Sequence, residues 1–260
     1  MRKKIAIEIS KCLDDISSGI EMIGNFKDNK YVVSKVERMF KENLLKLDSE
    51  IDDIEKEQVE ALKEAIKSVD AIETNRLISE IKTFISENIV YKVVFMPYKA
   101  SMWDSLESIW MAADKDERCE ALVVPITYYE LDDKRNPIKK VNEKNLFPKY
   151  VNVVNDEEYD LENDLPDIIY IHNPYDDNNL ITRVDSRYYS WNLKKYCEKL
   201  VYLPYYKWID GVSSPILGDF SSFVDYLILG SDAAVSDCKK HLSESADALG
   251  VDKDNFEKSV

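Results

Sequence analysis

Two rhythms of apolar residues divide the chain near residue 88. Before it, apolar positions recur every three or four residues: Ile5, Ile9, Cys12, Ile16, Ile20 and Ile23, then Val32, Val36, Met39 and Leu47. Ile51, Ile54, Leu62, Ala65 and Val69 follow, and Leu77, Ile81, Phe84 and Ile85 close the series. Such stripes on charged segments predict amphipathic helices. Breaks are expected near Gly24-Asn25, Asp48-Ser49 and Thr74-Asn75, with Asp48 or Ser49 and Thr74 as N-caps. Three or four helices in antiparallel hairpins result. Each stripe must be covered by a neighbouring helix, by the rest of the chain, or by a second copy in a homo-oligomer.

From Ile89 the period changes. Short β-branched runs, too short for helices, read as buried strands at 91–96, 119–129, 167–171, 199–203 and 226–229, with a shorter one at 150–154. Ser101-Met-Trp-Asp104 has the form of a capping box and starts a helix to about Ala113. Residues 131–137 read as a turn, 141–148 as an excursion, 155–166 as an exposed acidic stretch, and 176–193 as a short helix or loop over the sheet edge. Residues 207–220 read as loop, and Ser231 caps a last helix. Strands alternating with crossing segments give a mostly parallel sheet. The fold class is therefore α/β, with helical hairpins over 1–88 followed by a Rossmann-like unit over 89–260.

Four of the apolar runs end alike. Val93-Val94-Phe95-Met96 meets Pro97-Tyr98, and Ala121-Leu-Val-Val124 meets Pro125 with Tyr128 and Tyr129 behind it. Ile168-Ile-Tyr-Ile171 meets His172-Asn173-Pro174-Tyr175, and Leu200-Val-Tyr-Leu203 meets Pro204-Tyr205. Proline stops a strand by removing a donor. If the strands are parallel, these ends share the carboxyl edge of one sheet, where open α/β sheets bind ligands. The bland account is strand-stopping prolines with tyrosines packed beside them. The sharper account is a concave rim of hydroxyls for a polyhydroxylated or phosphorylated ligand.

Charge narrows the partners. The 260 residues carry 35 Lys+Arg against 50 Asp+Glu, a net charge of −15, which argues against a nucleic-acid partner. No long apolar run predicts a signal peptide or membrane span, and four dispersed cysteines predict reduced thiols in a cytoplasmic protein. With only two histidines and no Gly-rich phosphate loop, neither a metal nor another cofactor is expected.

His172 is the first catalytic candidate, since only histidine titrates near neutrality unperturbed. Asp176 or Asp177 could orient it. The competing account is a histidine hydrogen-bonded at a strand end. Tyr98, Lys99, Ser101, Asn173 and Tyr175 are candidates for ligand contact at the rim. Lys99 and the helix start at Ser101 favour an anion, although the account of Lys99 as a plain surface lysine is preferred. Arg183 and Arg187 could hold phosphate, or pair with nearby acids. His241 is assigned no role.

Three segments resemble bacterial proteins similar to CDP-glycerol glycerophosphotransferases, the teichoic-acid primases and polymerases. They are Tyr91 to Trp110, Pro166 to Asp176, and Asp225-Tyr-Leu-Ile-Leu-Gly-Ser231. The likeness covers 91 to about 256. It implies the acceptor-side half of a glycosyltransferase-B-type fold, contact with the inner face of the membrane, and a histidine base. His172 is the one histidine in a matching segment. It also implies that residues 249–260 resemble the linker before a carboxyl-terminal nucleotide-binding domain absent from this sequence, so CDP-glycerol is not expected to bind in the family's mode. The acidic composition gives membrane contact little support of its own. The alternative expectation is a non-catalytic module that binds a glycan or nucleotide.

Overall fold

The structure, a computed structural model, describes residues 1–50, 56–173, 175–205 and 223–249, with backbone alone over 241–249. It divides between Val90 and Tyr91 into two compact units.

The first unit is helical: α1 (Lys3–Phe26), α2 (Lys30–Glu50), α3 (Lys56–Lys67) and α4 (Ala71–Glu87). The predicted stripes bury one another. Ile9, Leu13, Ile16 and Ile20 of α1 pack with Val36, Phe40 and Leu47 of α2, Leu62 of α3, and Leu77, Ile81 and Ile85 of α4. Gly19 is where α1 and α2 approach most demandingly, since a Cβ there would lie 2.5 Å from the Phe40 ring. The first break falls between Phe26 and Lys30, just beyond the expected Gly24-Asn25, and Asn29 caps α2 by accepting from the Tyr31 and Val32 amides. The break expected at Thr74 lies earlier. Asp70 caps α4, accepting from the Ile72 and Glu73 amides, after Val69 reverses the chain at φ 53°. Thr74 is fully buried inside the helix. Residues 51–55 lie outside the description, so the expected positions of Ile51 and Ile54 stand apart from it.

The second unit is α/β. Its strands and helices run β1 (Tyr91–Met96), α5 (Asp104–Lys115), β2 (Cys119–Val123), β3 (Tyr128–Leu131), β4 (Pro137–Val141), α6 (Leu161–Asp164), β5 (Ile168–Ile171), β6 (Thr182–Val184), α7 (Ser190–Leu193), β7 (Lys199–Tyr202), β8 (Tyr226–Leu227) and α8 (Asp232–Leu249). Five strands form one parallel sheet in the order β2-β1-β5-β7-β8. Alternation along β1 sends Val93 and Phe95 to one face, against Trp103, Leu106 and Trp110 at and beyond the start of α5. Val94 and Met96 join the opposite face with Ile169, Ile171, Leu200, Leu193 of α7, and Ala234 and Cys238 of α8. A sheet covered on both faces explains why its strands read as continuous apolar runs.

A second, antiparallel sheet runs β4-β3-β6. Here the expectations need correcting. The run 119–129 is two strands in two sheets, parted over residues 124–127 around Pro125. The expected turn at 131–137 leads straight into β4, an exposed edge strand that begins at a proline. The 176–193 segment contains β6, and 150–154 contributes only a single bridge, Val123 to Val153. Ser101 does not cap a helix. A 3₁₀ turn over Ala100–Met102 precedes α5, which starts at Asp104 without a side-chain cap. Ser231 does cap α8, its hydroxyl accepting from the Ala234 amide. The loop expected at 207–220 and the linker expected at 249–260 lie outside the described residues, apart from Leu249 at the end of α8.

Candidate functional site

In sequence order the five parallel strands are arranged second, first, third, fourth, fifth, so the direction of winding reverses between β1 and β5. At such a reversal the loops leaving the two strands diverge and open a crevice beyond their carboxyl ends. Pro97-Tyr98-Lys99 leaves β1 there, and His172-Asn173 leaves β5.

The tyrosine rim forms. Tyr98 is buried, with its hydroxyl hydrogen-bonded to Thr182 of β6 and to Tyr205 beyond β7. Burial first, then the neighbouring Tyr205 phenol, holds its pKa well above the usual tyrosine range. Tyr175 lies close enough to Tyr98 and Tyr205 to raise both further. The Tyr98 ring meets Tyr128 edge-on at 5.5 Å, and Tyr128 donates to Glu143 at 2.7 Å. The ammonium of Lys99 sits 5.3 Å from the Tyr98 ring centre and 5.4 Å from that of Tyr128. Among the described residues no carboxylate pairs with Lys99, so this cation is held by ring faces at the rim.

The anion site expected at the start of the following helix has an internal occupant. The Glu143 carboxylate accepts from the Ala100 amide at 2.7 Å while its other oxygen takes the Tyr128 hydroxyl. Ser101, exposed beside it, joins neither group. Nothing in the segment 141–148 marked Glu143 in advance, because its partners lie on other elements.

His172 is fully buried. Its Nε2 accepts from the Tyr98 amide at 3.1 Å, which assigns the ring proton to Nδ1. Nδ1 faces the Ser105 hydroxyl at 3.3 Å and the Met102 carbonyl. Burial drives its pKa down to about 3, against a smaller upward effect of the Met102 carbonyl. The imidazole is therefore neutral at physiological pH, with its acceptor lone pair already engaged. Its geometry is that of a clamp tying the end of β5 to the β1 loop and the first turn of α5. Asp176 does not orient it. At φ 40° the chain turns this carboxylate toward α7, where it accepts from the Ser190 amide at 2.8 Å and the Ser190 hydroxyl at 2.6 Å.

The two arginines stand apart from the rim. In the antiparallel ladder Tyr128 opposes Val184 and Glu130 opposes Thr182, so Tyr128 and Thr182 share the face turned to Tyr98. Arg183 opposes Tyr129 on the other face. It donates to the Arg135 carbonyl at 3.3 Å, and Arg187 pairs with Asp185 at 3.2 Å. Of the expected contact residues, the structure gathers Tyr98, Lys99, Asn173 and Tyr175 at the sheet edge, and separates Ser101, Arg183 and Arg187 from them.

Asp156, expected within the exposed acidic stretch 155–166, is instead buried and holds the rim's foundations. It accepts from the Thr127 amide at 2.9 Å, the Asn142 side-chain amide at 3.0 Å and the Tyr188 hydroxyl at 3.1 Å. Burial raises the Cys197 and Cys238 thiols to about 12 and about 11, so neither is poised as a nucleophile. No helix among the described residues is long and apolar enough to cross a membrane. Comparison of the chain with protein-family models, with curated proteins and with solved structures finds no match.

Proposed function

We propose that the α/β unit is the acceptor-side binding half of a CDP-glycerol glycerophosphotransferase-like transferase, acting in teichoic-acid or related surface-glycopolymer synthesis. Its crevice beyond β1 and β5 would hold a phosphorylated, polyhydroxylated acceptor. The observation that carries this reading is the position of the rim: Tyr98, Lys99, Tyr175 and Tyr205 meet where the strand order reverses. Hydroxyls suit a polyol, and the Lys99 ammonium, with no carboxylate partner among the described residues, suits a phosphate. In the transfer itself an acceptor hydroxyl attacks the β-phosphate of CDP-glycerol, CMP leaves, and the hydroxyl proton passes to a base. His172 is a positioning residue in this account, because its lone pair is spent on the Tyr98 amide. That same observation favours a second reading, a glycan- or nucleotide-binding module without turnover.

Calorimetric titration of the 260-residue chain with sn-glycerol 3-phosphate and a short oligo(glycerol phosphate) tests the binding that both readings share. Binding is expected, weakened about 10-fold or more by Lys99→Ala, since a charge-assisted bond is worth about 1.5–3 kcal/mol. Arg183→Ala and Arg187→Ala are expected to leave it unchanged. Absence of binding would remove the proposal's basis, and indifference to Lys99→Ala would remove its phosphate half.

A further inference from the structure

Asn173 is only 5% exposed, and among the described residues neither its side-chain oxygen nor its side-chain nitrogen has a hydrogen-bond partner. A buried carboxamide missing every bond is costly, because water has been withdrawn and nothing replaces it. Natural proteins tolerate few such groups, and each calls for an explanation.

The surroundings supply one. The β1–β5 register pairs Val94 with Ile169 and Met96 with Ile171. Continued by two residues it sets Tyr98 beside Asn173. Alternation gives Asn173 the face of Ile169 and Ile171, the face that also holds Tyr98 and Tyr128. On the other flank β7 pairs Tyr202 with Ile171, which brings Pro204 level with Asn173. The Tyr98–Tyr205 hydroxyl bond thus links residues on both sides of the strand that carries Asn173. His172, one residue earlier, turns its Nδ1 toward Met102 and Ser105, while its ring meets those of Tyr98 and Tyr205 edge-on at 5.4 and 6.0 Å.

We infer that Asn173 is the specificity-determining contact of the crevice, reading an uncharged hydroxyl-bearing portion of the ligand. This inference rests on the binding function proposed above and assigns its recognition chemistry. A carboxamide presents a donor and an acceptor side by side, and a polyol presents the same pair in return. A phosphate offers chiefly acceptors, which match the amide nitrogen and leave the amide oxygen poorly served. Lys99 and Asn173 accordingly divide the ligand, the ammonium taking charge and the amide taking hydroxyls.

The test follows the Asn173 side-chain amide resonances in a ¹⁵N-labelled sample of the full chain, identified by their loss in Asn173→Leu. Titrations use glycerol, sn-glycerol 3-phosphate and inorganic phosphate. The Asn173 signals are expected to shift with the first two probes and to stay in place with phosphate. Binding of sn-glycerol 3-phosphate that is weakened by Lys99→Ala but leaves these signals unmoved overturns the inference and spares the binding function. Shifts at Asn173 with binding indifferent to Lys99→Ala support the inference and sink the phosphate half of the proposed function. Binding of no probe overturns both. Thermal unfolding of Asn173→Leu gives an independent check. Removing an unsatisfied amide is expected to raise Tm by about 2–8 °C, and a fall in Tm would mean that the amide is satisfied within the protein.

Discussion

Asp156→Ala is expected to destabilise the α/β unit by about 3–5 kcal/mol. The size follows from what the change leaves behind. The Thr127 amide, the Asn142 side chain and the Tyr188 hydroxyl would each lose an acceptor in the interior. These partners come from the loop after β2, the end of β4 and the turn before α7, so their loosening would reach Tyr128 and the rim. Asp160→Ala is the matched control. Asp160 is exposed and caps the short helix α6 through Asn163, and its loss is expected to cost about 1 kcal/mol. All four tryptophans follow residue 90, so their fluorescence in urea follows the α/β unit alone. Equal midpoints for the two variants would contradict the role given to Asp156.

The second large effect depends on pH. In the unfolded chain His172 takes up a proton near its ordinary value of 6.5, whereas in the folded chain it does so only near 3. Between these limits the unfolded state binds the extra proton. The stability that the neutral ring contributes is therefore complete above about pH 6.5, and it declines as the pH falls toward 3, by about 1.4 kcal/mol per pH unit. His172→Gln removes this titration while its side-chain oxygen can still accept from the Tyr98 amide. The variant is expected to be less stable at pH 7.5 by about 1–3 kcal/mol. Its deficit should shrink by about 1.4 kcal/mol per pH unit between pH 6 and pH 4. Comparing the two proteins at each pH cancels the carboxylates they share. A deficit that stays constant with pH would show that His172 titrates normally in the folded protein, and would return it to the candidates for a catalytic base.

The parts of the fold legible in the sequence were those governed by local rules. β1, β5 and β7 are apolar runs stopped by proline or by a polar pair before one, and burial on both faces keeps them apolar. The stripes of α1, α2 and α4 repeat because each helix has one face to hide. β4 escaped notice because Pro137-Ile-Lys-Lys-Val141 is an exposed edge strand with too little alternation to see. β6 is only three residues long. At the site, the gathering of tyrosines was legible, because it follows from four similar strand ends being parallel. The state of His172 was not, because its burial depends on α5 folding across it. Asp176 was misplaced because a positive φ at that residue redirects its carboxylate to Ser190, fourteen positions on. The burial of Asp156 was not legible because its three partners are distant in sequence and ordinary in type.

The central claim is that ligand binds at the carboxyl edge, where β1 and β5 diverge. Backbone amide shift mapping of the full chain with sn-glycerol 3-phosphate tests it most directly. The account predicts that the perturbed amides cluster at Tyr98, Lys99, His172, Asn173, Tyr175 and Tyr205. Perturbations confined to residues 1–90, or to the amino-terminal ends of the strands near Lys92 and Asp167, would contradict it.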